Sequence, residues 1–119
     1  MSKRTMNEVH AADCSVAATM ELIGSKWTPL IVHDLSEGSR RFMQLERACP
    51  GISPRTLSDR LDMLEQQGIV IRRSHSESPP RVEYELTDKG RALLPIIDAM
   101  REFGRAWLLA TPAARAAVH

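Results

Sequence analysis

The run "GISPRTLSDRL", residues 51 to 61, places Ser53, Arg55, Thr56, Ser58 and Asp59 within seven positions. Those side chains share one chemistry, directional hydrogen bonding to a polar surface. An arginine grips a guanine edge or a phosphate with two parallel N–H bonds, and serine or threonine hydroxyls bond to several base edges. Asp59 either accepts from a cytosine amine or orients Arg55. A second group of polar residues, Arg73, His75 and Arg81, flanks the stretch "SESPP". Two prolines stiffen that stretch against a phosphate backbone or a minor groove. Arg40 and Arg41 add candidate phosphate contacts, with solvated surface as the plain alternative for these and for Arg73.

The other reactive side chains are Cys14 and Cys49. Two cysteines are too few for a secreted disulfide framework, and they lack the paired spacing of a structural zinc site. Cys14 stands just before a helical pattern, where a helix N-terminus stabilises a thiolate. A buried inert cysteine is the alternative. Cys49, beside "PG", is a candidate resolving partner. His10, Cys14 and His33 form a weaker metal-sensor set without a tight ligand motif. No phosphate loop, nucleophile elbow or carboxylate pair appears, so the expectation is a protein without catalysis, metal or cofactor.

A chain of 119 residues, 43% hydrophobic and 26% charged, makes one globular domain. No run approaches the ~20 apolar residues of a membrane span, and the N-terminus shows no apolar signal segment, so the expected location is the cytoplasm. Net charge is +1. Its distribution is uneven: residues 40 to 81 hold eight basic and five acidic side chains, whereas residues 1 to 39 hold three and five. A basic middle segment is the electrostatic footprint of a nucleic-acid face.

Periodicity supplies the elements that position these residues. Val16, Met20 and Ile23 give a first helix ended by Gly24, and Ser25 caps a second that carries Trp27, Leu30, Ile31 and Leu35. Pro29 fits only near its first turn. "GSRRF" has room for a brief strand or turn, and Phe42, Leu45 and Ala48 give a short third helix stopped by "PG". Ser53 then caps a fourth helix, with Pro54 at its first position, Leu57, Leu61 and Leu64 as its buried stripe and Gly68 as its end. Arg55, Asp59, Asp62 and Gln66 lie opposite the leucines. Strands near 69–74 and 82–86 form a hairpin with a long basic loop. Thr87 caps a last helix whose stripe runs through Leu93, Ile97, Met100, Gly104 and Trp107, widened by Ile96 and Phe103; Pro95 predicts a kink or a delayed start.

That order of elements is mainly α with a small β-hairpin, a winged helix-turn-helix. The expected organisation is a flexible arm over residues 1–13, one domain over 14–110 and a disordered tail over 111–119. From about Cys14 to Trp107, the pieces "CSVAATMELIGSKWTPLIVHDLSEGSRRFMQLERACPGISPRTLSDRLDMLEQQGIV" and "RVEYELTDKGRALLPIIDAM" resemble the HxlR-type regulators in order and spacing. The resemblance implies a transcriptional regulator that binds double-stranded DNA at a pseudo-palindromic operator as a homodimer. N- and C-terminal helices would form the interface, drawing on Leu93, Ile96, Ile97, Met100, Phe103 and Trp107. It also implies that Cys14 senses electrophiles or oxidants, although "CSVAA" departs from the proline and acidic residue that often follow that cysteine. A winged-helix protein-interaction module without specific DNA binding is the competing reading. The effector, if one exists, is not written in the side-chain pattern.

Overall fold

The computed structural model describes residues 14–76 and 78–109. The predicted arm and tail, and His10, lie outside the described residues. Helix α1 covers residues 14–23. It is followed by α2 (Trp27–Leu35), α3 (Phe42–Ala48), α4 (Pro54–Gln66), strands β1 (Val70–His75) and β2 (Arg81–Leu86), α5 (Asp88–Arg91) and α6 (Leu94–Phe103), which runs into a π-helical turn at Gly104–Leu108. This is the expected winged helix-turn-helix order.

Each boundary has a local cause. Ser25 Oγ accepts the Thr28 N–H at 3.3 Å, although the helix proper begins at Trp27. Pro29 therefore sits in the first turn, where its missing donor is not needed. Helix α4 ends in a Schellman motif: the Ile69 N–H bonds to the Leu64 carbonyl at 2.9 Å and the Gly68 N–H to that of Glu65 at 3.0 Å. Gly68 has φ +75°, the left-handed conformation that this motif requires and that glycine adopts without strain.

The hairpin is antiparallel, with Val70 opposite Leu86 at its base and His75 opposite Arg81 at its outer end. The first strand is shifted one residue along from the expected range, and the second starts one residue earlier and ends where expected. "GSRRF" contributes a single bridge in which the Arg40 and Tyr84 backbones exchange hydrogen bonds of 2.9 and 2.8 Å. That bridge ties the loop after α2 to the outer side of β2.

The last helix is two pieces rather than one. Thr87 caps α5 by accepting the Gly90 N–H at 3.0 Å, while its own hydroxyl donates to the carbonyls of Gly68 and Ile69. A Cβ on Gly90 would sit 2.3 Å from the Ile69 carbonyl oxygen, so only glycine lets α5 lie this close to the start of β1. The chain then re-enters a helix at Leu94 with Pro95 in its first turn, the delayed start that proline favours.

One core unites these elements. Ile31, Val32 and Leu35 of α2, Leu45 of α3, Leu57, Leu61 and Leu64 of α4, Ile69, Val70 and Leu86 of the hairpin, and Leu93 and Ile97 are all buried in it. The three leucines of α4 follow a four-and-three spacing on one helical face, which fixes that helix's rotation and turns its polar side outward.

Candidate nucleic-acid interface

The turn from α3 to α4 aims the polar face. Ile52 is buried and its N–H bonds to the Cys49 carbonyl at 3.0 Å, while Gly51 takes φ +91° to reverse the chain. Ser53 Oγ accepts the Thr56 N–H at 3.0 Å and donates its proton to Thr56 Oγ1 at 2.8 Å. Ser53 is thus committed to capping, and the Thr56 hydroxyl keeps its own proton available. Pro54 has no N–H and that of Thr56 is taken, so among the first three positions of α4 only Arg55 offers its backbone donor.

Arg55, Ser58 and Asp59 are exposed. No ion pair joins Arg55 to Asp59, and Arg55 has no charged partner among the described residues. The arginine precedes the aspartate along the helix, which is the weaker orientation for an i, i+4 pair. Of the two roles left open for Asp59, that of orienting Arg55 has no contact behind it here.

The other predicted cations are placed differently. Arg40 Nε lies 3.3 Å from Asp34 and its Nη2 2.9 Å from Glu37, so it braces the loop after α2. Arg41 is exposed; its backbone N–H donates to Gln44 Oε1 at 2.9 Å, and its side chain has no ion pair among the described residues. In the hairpin, Arg73 Nε is 2.6 Å from Glu85 Oε1, and His75 Nε2 and Arg81 Nε are 2.9 and 3.8 Å from Glu83 Oε1. The loop expected to be basic is not: "SESPP" between the strands carries Glu77 and no cation. Arg72, which the sequence reading left aside, is also exposed on the hairpin. Strand alternation was the available signal, because it sets Arg72 on the face opposite Arg73.

The two cysteines separate sharply. Cys14 is exposed at the start of α1, whereas Cys49 is fully buried at the end of α3. Burial, and secondarily the charge of Asp34, pushes the Cys49 thiol above its ordinary pKa. In this conformation Cys49 is therefore out of reach of a second thiol, and its expected role as a resolving partner has no contact behind it here. His33 is half-buried within α2, and no group of three His, Cys, Asp or Glu among the described residues is arranged to hold a metal ion.

The proposed interface residues also divide. Leu93 and Ile97 are 7% and 2% exposed in this chain's own core, so their side chains are not available to a partner; periodicity grouped them with the outer stripe because all lie on one broad helical face. Ile96, Met100, Phe103 and Trp107 are exposed, the last two at 59% and 61%. Val16 and Met20 of α1 are exposed beside them, and a cleft of about 460 Å³ between α1 and α6 is lined by Val16, Thr19, Met20, Ile23, Ile96 and Met100.

Comparison with known proteins agrees with this geometry. The family model described as HxlR-like helix-turn-helix matches residues 22–112. An HTH-type transcriptional regulator of Synechocystis sp. is 43% identical over 95 residues, covering 80% of this chain and 70% of that protein. The HTH-type transcriptional regulator YvaP of Bacillus subtilis is 43% identical over 89 residues, 75% of this chain and 82% of its own. Among solved structures, the redox regulator HypR in its reduced form superposes with a TM-score of 0.76 at 38% identity, covering 81% of this chain and 95% of that one. The reduced transcriptional regulator YodB of B. subtilis gives 0.71 at 34% identity, covering 82% and 95%. With the helix-turn-helix, the hairpin and most of the sequence in register with these proteins, the chain belongs to the HxlR-like helix-turn-helix family of transcriptional regulators.

Proposed function

We propose that the protein acts in the cytoplasm as a homodimer that reads a pseudo-palindromic operator through α4, with Arg55, Thr56 and Ser58 at base edges and Arg41 on phosphate. The observation that carries this reading is the polar start of α4, uncommitted to any charged partner and held rigidly outward by Leu57, Leu61 and Leu64. A bidentate arginine–guanine contact discriminates by about 1–3 kcal/mol against a wrong base. Footprinting on the DNA upstream of the protein's own gene tests it. The parent should protect a two-part site, and Arg55→Ala should bind it roughly tenfold or more weakly and less selectively. Equal binding by the variant would remove α4 from the reading and favour a protein-interaction module.

The homodimer rests on the exposed Ile96, Met100, Phe103 and Trp107 beside Val16 and Met20, more apolar surface than a lone chain of this size covers. A second copy related by a two-fold axis would bury the same patch on both chains and space two α4 helices for successive major grooves. Redox control rests on Cys14, exposed on α1 beside that patch, and on the resemblance to solved redox regulators. Its chemistry would join the Cys14 thiols of two copies in one S–S bond, two hydrogens passing to an oxidant such as an azo reagent. Oxidised parent should run as a covalent dimer on a non-reducing gel. Cys14→Ser should not.

A further inference from the structure

The hairpin supplies its own counterions. Alternate residues share a face, and the register sets Arg73 opposite Glu83, His75 opposite Arg81 and Ile71 opposite Glu85. Arg73, His75, Arg81, Glu83 and Glu85 therefore stand together on one side, with Arg73 and Arg81 2.6 and 3.8 Å from a glutamate oxygen and the His75 ring 2.9 Å from Glu83. From Val70 to Leu86 the sequence holds three arginines and three glutamates, so the segment carries no net charge with its histidine neutral. Arg72 is the exception. It stands on the other face opposite Tyr84, is exposed, and joins no ion pair among the described residues.

DNA affinity from phosphate contacts comes from released counterions. An unpaired arginine that reaches a phosphate displaces one condensed cation. A paired arginine must first give up its carboxylate, and the bared carboxylate then faces the DNA's own negative field, so the pair favours staying with its partner over reaching a phosphate. We propose that Arg72 is the side chain through which the wing meets DNA phosphate, and that Glu83 and Glu85 withhold Arg73 and Arg81 from it. This rests on the DNA-binding reading above and names which wing residues take part. The cross-strand pairs keep a different task, holding the outer half of a two-stranded hairpin together.

The test is the salt dependence of binding, measured by fluorescence anisotropy with a random-sequence duplex and with the duplex upstream of the protein's own gene. Arg72→Ala should reduce the slope of log K against log salt by about 0.9, the loss of one phosphate contact. Arg73→Ala should leave the slope unchanged. Glu85→Gln, which keeps the shape and removes the charge, should steepen it by about 0.9, and that gain should vanish in the Arg73→Ala background. Arg73→Ala flattening the slope as much as Arg72→Ala would overturn the proposal. So would a Glu85→Gln gain that persists without Arg73, since that gain would come from overall charge alone. Arg55→Ala in the same series separates the two levels: weakened binding there with an unchanged slope in Arg72→Ala sinks the wing assignment only, whereas a parent that binds neither duplex sinks both.

Discussion

Helices α4 and α6 are both amphipathic, and their sequences show the same three-four spacing of large apolar residues, yet the fold treats them in opposite ways. Leu57, Leu61 and Leu64 of α4 are all buried within the chain. In α6 only Ile97 is buried, while Ile96, Met100 and Phe103 face outward. The difference lies in the neighbours. The α4 leucines enter a core shared with side chains of α2, α3 and the hairpin base, and α4 itself packs on β1, which follows it in sequence. Helix α6 comes after the hairpin, with only one side left to lay on α2. The contrast teaches that a stripe's spacing reports a helix and its amphipathicity, whereas what covers the stripe depends on how many elements remain to pack against it. In α4 the apolar face completes the domain and frees the polar face for a ligand. In α6 the apolar face is itself the surface on offer.

The largest effect that could break this contrast is on stability. Leu61→Ala should cost about 2–5 kcal/mol, as for other buried leucines, and the loss seen in urea unfolding should be the same at every protein concentration. Met100→Ala should cost under about 0.5 kcal/mol in the dilute monomer, as for surface positions, and more as concentration rises and the dimer forms. Equal costs in the monomer would mean that α6 is as internal as α4. A second, more selective probe is Trp107→Asp. It places a charge in the proposed seam without touching the core, and should give a monomer in sedimentation velocity with an unaltered far-ultraviolet circular dichroism spectrum. A dimer that persists in this variant would move the interface elsewhere.

The same contrast explains what could be read before the fold was known. The helix-turn-helix was legible because its signals are local: Ser53 as a cap, Pro54 in the first turn, Gly51 and Gly68 at reversals, and leucines on a strict spacing. Thr87 and Pro95 were equally informative, since each acts on its own backbone neighbours. The state of the cations was not legible. Arg40, Arg55 and Arg73 look alike in sequence, and only tertiary placement decides that the first braces Asp34 and Glu37, the third meets Glu85, and the second remains uncommitted. Leu93 and Ile97 were misgrouped for a related reason, because one broad stripe can serve two neighbours at once.

The smallest predicted effect sets the satisfied core against the exposed face within one residue type. Cys49 is fully buried in the core that α4 completes, and burial, reinforced by Asp34, raises its pKa. Folding therefore favours the protonated thiol. Stability from this group is fully present below the unfolded thiol value of about 8.5 and is lost as pH rises through the higher folded value. Relative to Cys49→Ala, the parent should lose stability progressively as pH climbs from about 8.5, by an amount that grows until the folded thiol ionises. Parallel curves for the two proteins would show that the thiol's surroundings are no drier than water. Cys14 supplies the kinetic counterpart: a thiol-specific reagent at neutral pH should label it at once in the folded protein, and should reach Cys49 only as fast as the core opens. If both react together, the core around α3 and α4 opens as readily as the exposed face, and the distinction between the two helices fails at its most sensitive point.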